Sequence, residues 1–122
     1  MEELDDRSLK IIIDSNPGDF AIYQLAQGKL SSLYASEGLA ELSGMSQQEY
    51  DDLTEADASA VIMKADLPEV KKRIAQMMKD ATDADFAYRI MHKTLGHIWV
   101  HARGRLIGMR NGYPVLLVSY SR

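Results

Sequence analysis

Three histidines, His92, His97 and His101, sit close together in the chain and are its only imidazoles. Imidazole titrates near neutral pH and is a common metal ligand, so a pair of them could hold a metal or sense protons. His92 and His97 flank Thr94-Leu95-Gly96 and could face each other across a turn. No acid or cysteine ligand stands beside them in sequence, which favours plain surface imidazoles. Cysteine is absent altogether. That removes a disulfide framework, a thiolate zinc site, a cysteine nucleophile, covalent c-type haem and any cysteinyl adduct to a chromophore. It also fits a reducing compartment.

The remaining reactive residue types form no catalytic constellation. There is no nucleophile-elbow serine with its partners, no phosphate-cradling glycine loop, no H-E-x-x-H and no EF-hand loop. Asp5-Asp6 and Asp51-Asp52 are adjacent along the chain. On a helix such neighbours diverge, which suits solvation better than acid–base work. Residues 1–60 carry a net charge of −10 and residues 61–122 a net charge of +6, giving −4 overall. This reads as a solvated acidic surface with some basic strand positions. A pI near 5.3 argues against nucleic acid as a partner.

These residues need elements to place them. The 122 residues, 46% hydrophobic, suffice for one domain with a real core. No apolar run approaches the roughly 18 residues that span a membrane, and the acidic N-terminus is no secretory signal. The last third reads as three strands, DFAYRIMHK, HIWVHARGRLIGMR and YPVLLVSYS. Asn111-Gly112 joins the last two, because both residues tolerate the positive φ of a type I′ turn. Phe20–Ala26 and Leu30–Ala35 are two shorter strands around Gly28.

Helical signals lie before and between the strands. Residues 2–14 read as a helix with Leu4, Leu9, Ile12 and Ile13 on one face, stopped by Pro17-Gly18. Ser36 can cap a short helix that Gly44 ends. Ser46-Gln47-Gln48-Glu49 is a capping box. Thr54–Lys64 is irregular or a short helix. Asp66, with Pro68 and Glu69 after it, starts the strongest helix as N-cap and second box, and Leu67, Val70, Ile74, Met77 and Met78 share its apolar face. Helices grouped between the strands of an antiparallel sheet make an α+β domain.

The middle strand alternates Ile98, Val100, Ala102, Gly104 and Leu106 against Trp99, His101, Arg103 and Arg105. Patterning alone puts the first set inward.

Over residues 16–121 this order and its motifs resemble the PAS domain, in the subclass called PAS fold-3. LYASEGLAELSGMSQQEY at 33–50 is similar to the family's "N-x-A-F…x-G-Y-S-x-E-E-L" segment. AYRIMHKTLGHIWVHARGR at 87–105 is similar to its "E-Y-R-x-x-x-x-D-G-x-x-R-W-V-x-x-R-G-R". SNPGDFAIYQLAQGKL at 15–30 resembles PAS domains that precede diguanylate cyclase (GGDEF) modules. There are departures. Ser36 replaces the usual Asn, Met63-Lys64-Ala65-Asp66 keeps only the last acid of "H-P-D-D", and Leu95-Gly96 replaces "D-G". The chain stops where the family's closing "D-I-T" would begin, which is read here as a fragment cut at the domain edge.

The resemblance implies a five-stranded antiparallel sheet with helices packed on one face and an N-terminal helix. It implies an N-terminal helix over 1–15 and a sensor domain over 16–122. Its pocket would be lined by Ile22, Leu33, Leu42, Ile62, Val70, Ile74, Met77, Tyr88, Ile90 and Trp99. In the family the residue at the Trp99 position tends to face that pocket, against the patterning. An apolar outer face would then need the N-terminal helix or a second subunit as cover.

No cofactor is identified. Haem-binding members place an axial His or Met on the long helix, and residues 66–81 hold no His, while Met77 and Met78 read as core. Haem is therefore disfavoured. Adduct-forming flavin is disfavoured for want of a cysteine, and flavin held without an adduct has no support in the sequence. The implied protein is a bacterial, cytoplasmic, homodimeric sensor of the two-component or diguanylate cyclase kind. It takes a small-molecule ligand, makes no membrane contact of its own, and regulates a fused C-terminal output domain. The competing reading is a small stand-alone α+β enzyme with a cavity between sheet and helices.

Overall fold

A computed structural model describes residues 2–122. Its framework is one five-stranded antiparallel sheet: β1 (Asp19–Ala26), β2 (Lys29–Ala35), β3 (Ala84–His92), β4 (Gly96–Arg110) and β5 (Tyr113–Ser121), in the order β2-β1-β5-β4-β3. Asn111 and Gly112 have φ of 54° and 81°, so the β4–β5 hairpin turns as its two residues predict. Between β2 and β3 lie α2 (Gly38–Leu42), α3 (Gln47–Thr54), a 3-10 turn (Ala58–Val61) and α4 (Leu67–Asp80). These cover one face of the sheet. The capping box at Ser46 and Glu49 is present in both directions.

The N-terminal segment covers part of the other face. Here α1 (Asp6–Ser15) starts later than residue 2. Asp5 caps it by accepting the Ser8 N–H at 2.8 Å. Residues before it are extended instead: the Leu4 N–H donates to the Met109 carbonyl at 2.7 Å, and the Met109 N–H donates to the Glu2 carbonyl at 2.9 Å. Leu4 and Leu9, with Ile12 and Ile13, pack on Phe20, Ile22, Val115 and Leu117. The second cluster, on the inner face, joins Ala21 and Tyr23 of β1 to Tyr88, Ile90, Ile98, Val100 and Ala102 and to the helices. Each fully buried aliphatic side chain in these clusters contributes roughly 1.5–3 kcal/mol.

In β4 the alternation prevails over the family tendency. Ile98, Val100, Ala102 and Gly104 are buried, and Trp99 is 57% exposed. The reason is packing: a period-2 apolar set on a central strand can bury only one way. A bulge between Leu106 and Gly108 then shifts the alternation, and Gly108 comes under Leu4. The apolar outer face that needs cover therefore lies on β1 and β5, not along Val100.

Two cap expectations are corrected. The Ser36 hydroxyl accepts the Phe20 N–H at 3.0 Å rather than capping α2. The Asp66 side chain makes no cap bond to α4. It accepts instead from Arg89 of β3, through the backbone N–H at 2.8 Å, Nε at 2.9 Å and Nη2 at 2.6 Å. A bidentate guanidinium plus an N–H outcompetes a single helical N–H.

Candidate functional site

Between the inner sheet face and the helices lies a cavity of about 50 Å³. α4 contributes Val70, Ile74 and Met77, because these recur at helical spacing toward the sheet. The edge of β3 is extended by an isolated pairing of Ile62 with Ile90, and both residues reach the cavity. Leu42 and Tyr88 complete seven of the ten residues expected to line it.

The other three lie elsewhere. Ile22 is fully buried but under α1, on the opposite face. Leu33 is 37% exposed on the edge strand β2. Trp99 points outward, with the Arg89 guanidinium 5.5 Å from its ring centre.

What the sequence reading missed is a set of tyrosines. Tyr23, Tyr50 and Tyr120 join Tyr88 in the wall. The Tyr23 and Tyr120 hydroxyls are 2.8 Å apart, and the Tyr88 hydroxyl donates to that of Tyr120 at 3.4 Å. Burial raises the Tyr88 phenol to about 12 and pushes Tyr23, Tyr50 and Tyr120 further above the ordinary value. All four therefore remain neutral hydrogen-bonding groups at physiological pH. The signal was faint: each tyrosine sits in a different element, and only the register brings them together.

The serines of the wall are already engaged. Ser43 Oγ donates to the Leu39 carbonyl at 3.1 Å, and Ser59 Oγ donates to Asp57 Oδ1 at 2.7 Å. No Lys, Arg, His, Asp or Glu lines the cavity.

The histidines do not converge. His97 pairs with Met91, and His92 pairs with Gly96, so the two side chains leave opposite faces of the hairpin. His92 Nδ1 accepts the Thr94 and Leu95 N–H groups at 3.2 and 3.1 Å, which fixes the turn. His101 contacts Asp85 of β3, an acid distant in sequence that cross-strand pairing delivers. Among the described residues no group of three His, Cys, Asp or Glu could hold a metal ion.

At the edge of the cavity-bearing layer, the Asp66–Arg89 pair fastens α4 to β3. Hydrogen bonds from Arg89 hold the Asp66 carboxyl at about 2, below its unfolded value near 3.9. A depressed folded value means that the stabilisation is present above about pH 4 and fades as pH falls toward 2. Asp66→Asn should therefore lower the urea midpoint at pH 5–7, and the gap to the parent should close between about pH 4 and 2. An unchanged gap at pH 2.5 would show that the carboxylate charge contributes nothing.

The geometry defines a class: a sensor-type sheet with a small internal pocket. A family model described as PAS fold matches residues 32–121, and the chain belongs to the PAS fold family, a family of sensory domains. No curated protein matches it in sequence. Solved structures do match in fold. One is a light-oxygen-voltage domain studied with a flavin analogue (15% identity, TM-score 0.66, covering 95% of this chain and 84% of that one). Another is a domain of a protein described as a light and redox sensing histidine kinase from Haloarcula marismortui (18%, 0.61, 96% and 97%). A third is the N-terminal domain of a diguanylate cyclase with PAS/PAC sensor from Marinobacter aquaeolei (12%, 0.58, 83% and 91%).

The expectation against flavin is overturned by these relations, since light-oxygen-voltage domains, which bind flavin, share the fold. Its error was to reason from one missing residue type. A cysteine bears on a covalent adduct and not on whether flavin is held without one. In this structure the cavity of about 50 Å³ is smaller than an isoalloxazine, and three of its four tyrosine hydroxyls already bond one another. No helix among the described residues is long and apolar enough to cross a membrane.

Proposed function

We propose that the chain is the sensory module of a bacterial, cytoplasmic signalling protein. It holds a small ligand between sheet and helices, or changes how two copies pack, and so biases a fused C-terminal output domain. A diguanylate cyclase or a histidine kinase is the output that its structural relatives favour. Residues 16–122 are the sensor and residues 1–15 its N-terminal helix, and a homodimer forms through that helix and the outer sheet face.

The observation that carries this reading is the apolar cavity together with its link to the last strand. Tyr120 of β5 lines the cavity and is hydroxyl-bonded to Tyr23 of β1 and Tyr88 of β3. A ligand that binds more tightly to one arrangement of these strands shifts the balance toward it.

The test fills the cavity genetically. Gly104 lies in the wall, where an added Cβ would sit 3.6 Å from Met77 Sδ, so Gly104→Leu projects into the cavity. In the protein that carries this chain, output activity should become fixed at one level and lose its response. Native mass spectrometry of the parent chain should find a retained small molecule, or a concentration-dependent dimer. A bare monomer, with output indifferent to Gly104→Leu, would sink the proposal.

A further inference from the structure

We infer that the ligand is an anionic amphiphile, an unbranched carboxylate of about eight to ten carbons. It lies in a groove beside the cavity, with its head at Lys71 and its tail running inward. This rests on the ligand-binding reading above and narrows it.

The groove runs between α4 and the β1–β2 hairpin. Leu25 and Leu30 form one side, and Leu67, Val70, Ile74 and Ala75 the other. Its volume is about 220 Å³. Leu30, Ser59, Val70 and Ile74 belong both to its wall and to that of the cavity. The two spaces therefore adjoin, with those side chains at the junction.

Size sets the tail. An apolar space of about 150 Å³ holds benzene, so the groove has room for roughly nine non-hydrogen atoms and the cavity for roughly two more. A flat ring fills the groove alone. An unbranched chain also reaches the cavity, and both spaces are lined mainly by aliphatic side chains that suit it.

Charge sets the head. Lys71 is the one charged residue in the groove wall, and it is exposed. Its neighbours at helical spacing are Leu67, Pro68, Ile74 and Ala75, so no acid of α4 shares its face. It makes no ion pair among the described residues. The hairpin, residues 20–35, contains no acid, and Lys29 follows Gly28 at its tip. Asp57, close to Ser59 of the wall, already accepts the Ser59 N–H and hydroxyl at 2.9 and 2.7 Å. An ammonium on the rim of an apolar groove attracts a carboxylate and repels a cation. An exposed pair of this kind adds little affinity. The tail therefore supplies the binding and Lys71 the direction.

The experiment titrates octanoate, hexanoate and octylammonium into the protein and follows the amides by NMR. Octanoate should shift amides in 25–30 and 67–75. It should bind about fifteenfold more tightly than hexanoate, at about fourfold for each buried methylene. It should also bind about three- to tenfold more tightly than octylammonium, the size of an exposed attraction set against a like repulsion. The chain's net charge of −4 favours the cation everywhere else, so this order is diagnostic. Lys71→Glu changes an exposed helical position and should reverse it. Octylammonium binding the groove as tightly as octanoate would overturn the anionic head and leave the ligand-binding reading standing. An order unchanged in Lys71→Glu would do the same. If no amide of groove or cavity moves, the amphiphile is overturned, and the ligand-binding reading is decided by the retained molecule sought in native mass spectrometry.

Discussion

Val100→Asp should leave no folded protein at 25 °C, while Trp99→Ser, its neighbour on the same strand, should cost under about 1 kcal/mol. Val100 is 1% exposed and sits across from Tyr88 in the inner cluster. No basic residue lines the adjoining cavity to pair with a carboxylate. An uncompensated buried charge costs about 3–5 kcal/mol before the lost packing of the valine is added. Against a total stability of about 5–15 kcal/mol, that is decisive for a domain of this size. Trp99 lies in solvent, and its loss removes one ring beneath Arg89, an exposed cation–π contact of about 0.5–1 kcal/mol. Arg89 keeps its bonds to Asp66. Circular dichroism with urea titration reads both variants. The opposite order, a tolerated Val100→Asp and an unfolded Trp99→Ser, would mean that the faces of β4 are reversed.

That pair of residues also shows how far the sequence could be read. β4 announces its inner face by strict alternation, and the structure follows the alternation. The family tendency at Trp99 pointed the other way. β1 gave no such help. Phe20, Ala21, Ile22 and Tyr23 are all buried, because α1 covers one face and the helices the other. A strand buried on both sides carries no period-2 signal, so Ile22 and Tyr23 were equally plausible wall residues. Of the two, Tyr23 lines the cavity and Ile22 lies under α1. The strands, the Asn111-Gly112 turn, the Ser46 box and α4 were legible because their signals are local. The tyrosine cluster, the Asp66–Arg89 pair and the extension of Glu2–Leu4 along Met109 were not. Each depends on partners tens of residues away, which only the register of the sheet brings into contact.

Removing residues 1–15 should destabilise the domain by about 3–6 kcal/mol and replace the homodimer with association of no fixed size. The segment buries Leu4 and Leu9 and half-buries Ile12 and Ile13. At roughly 1.5–3 kcal/mol for each full burial, less the cost of ordering a helix, that range follows. The segment is also anchored near its start. The Asn111 N–H donates to Glu3 at 2.7 Å, and Arg110 reaches Asp6 at 2.5 Å. Without it, Phe20, Ile22, Val115 and Leu117 form one exposed apolar patch, and patches of that kind associate. A second variant makes the same case with the chain intact. A Cβ on Gly108 would fall 2.7 Å from Leu4 Cγ and 2.8 Å from the Glu2 carbonyl, so Gly108→Val should dislodge the segment. Sedimentation and urea unfolding should then place Gly108→Val between the parent and the truncated chain. In Gly108→Val the displaced helix can still settle on a neighbouring copy, so its association should remain discrete. The truncated chain, with no helix to exchange, should associate without a defined size. A truncated chain that keeps the parent's size and stability would show that the segment is a passenger and that the patch needs no cover.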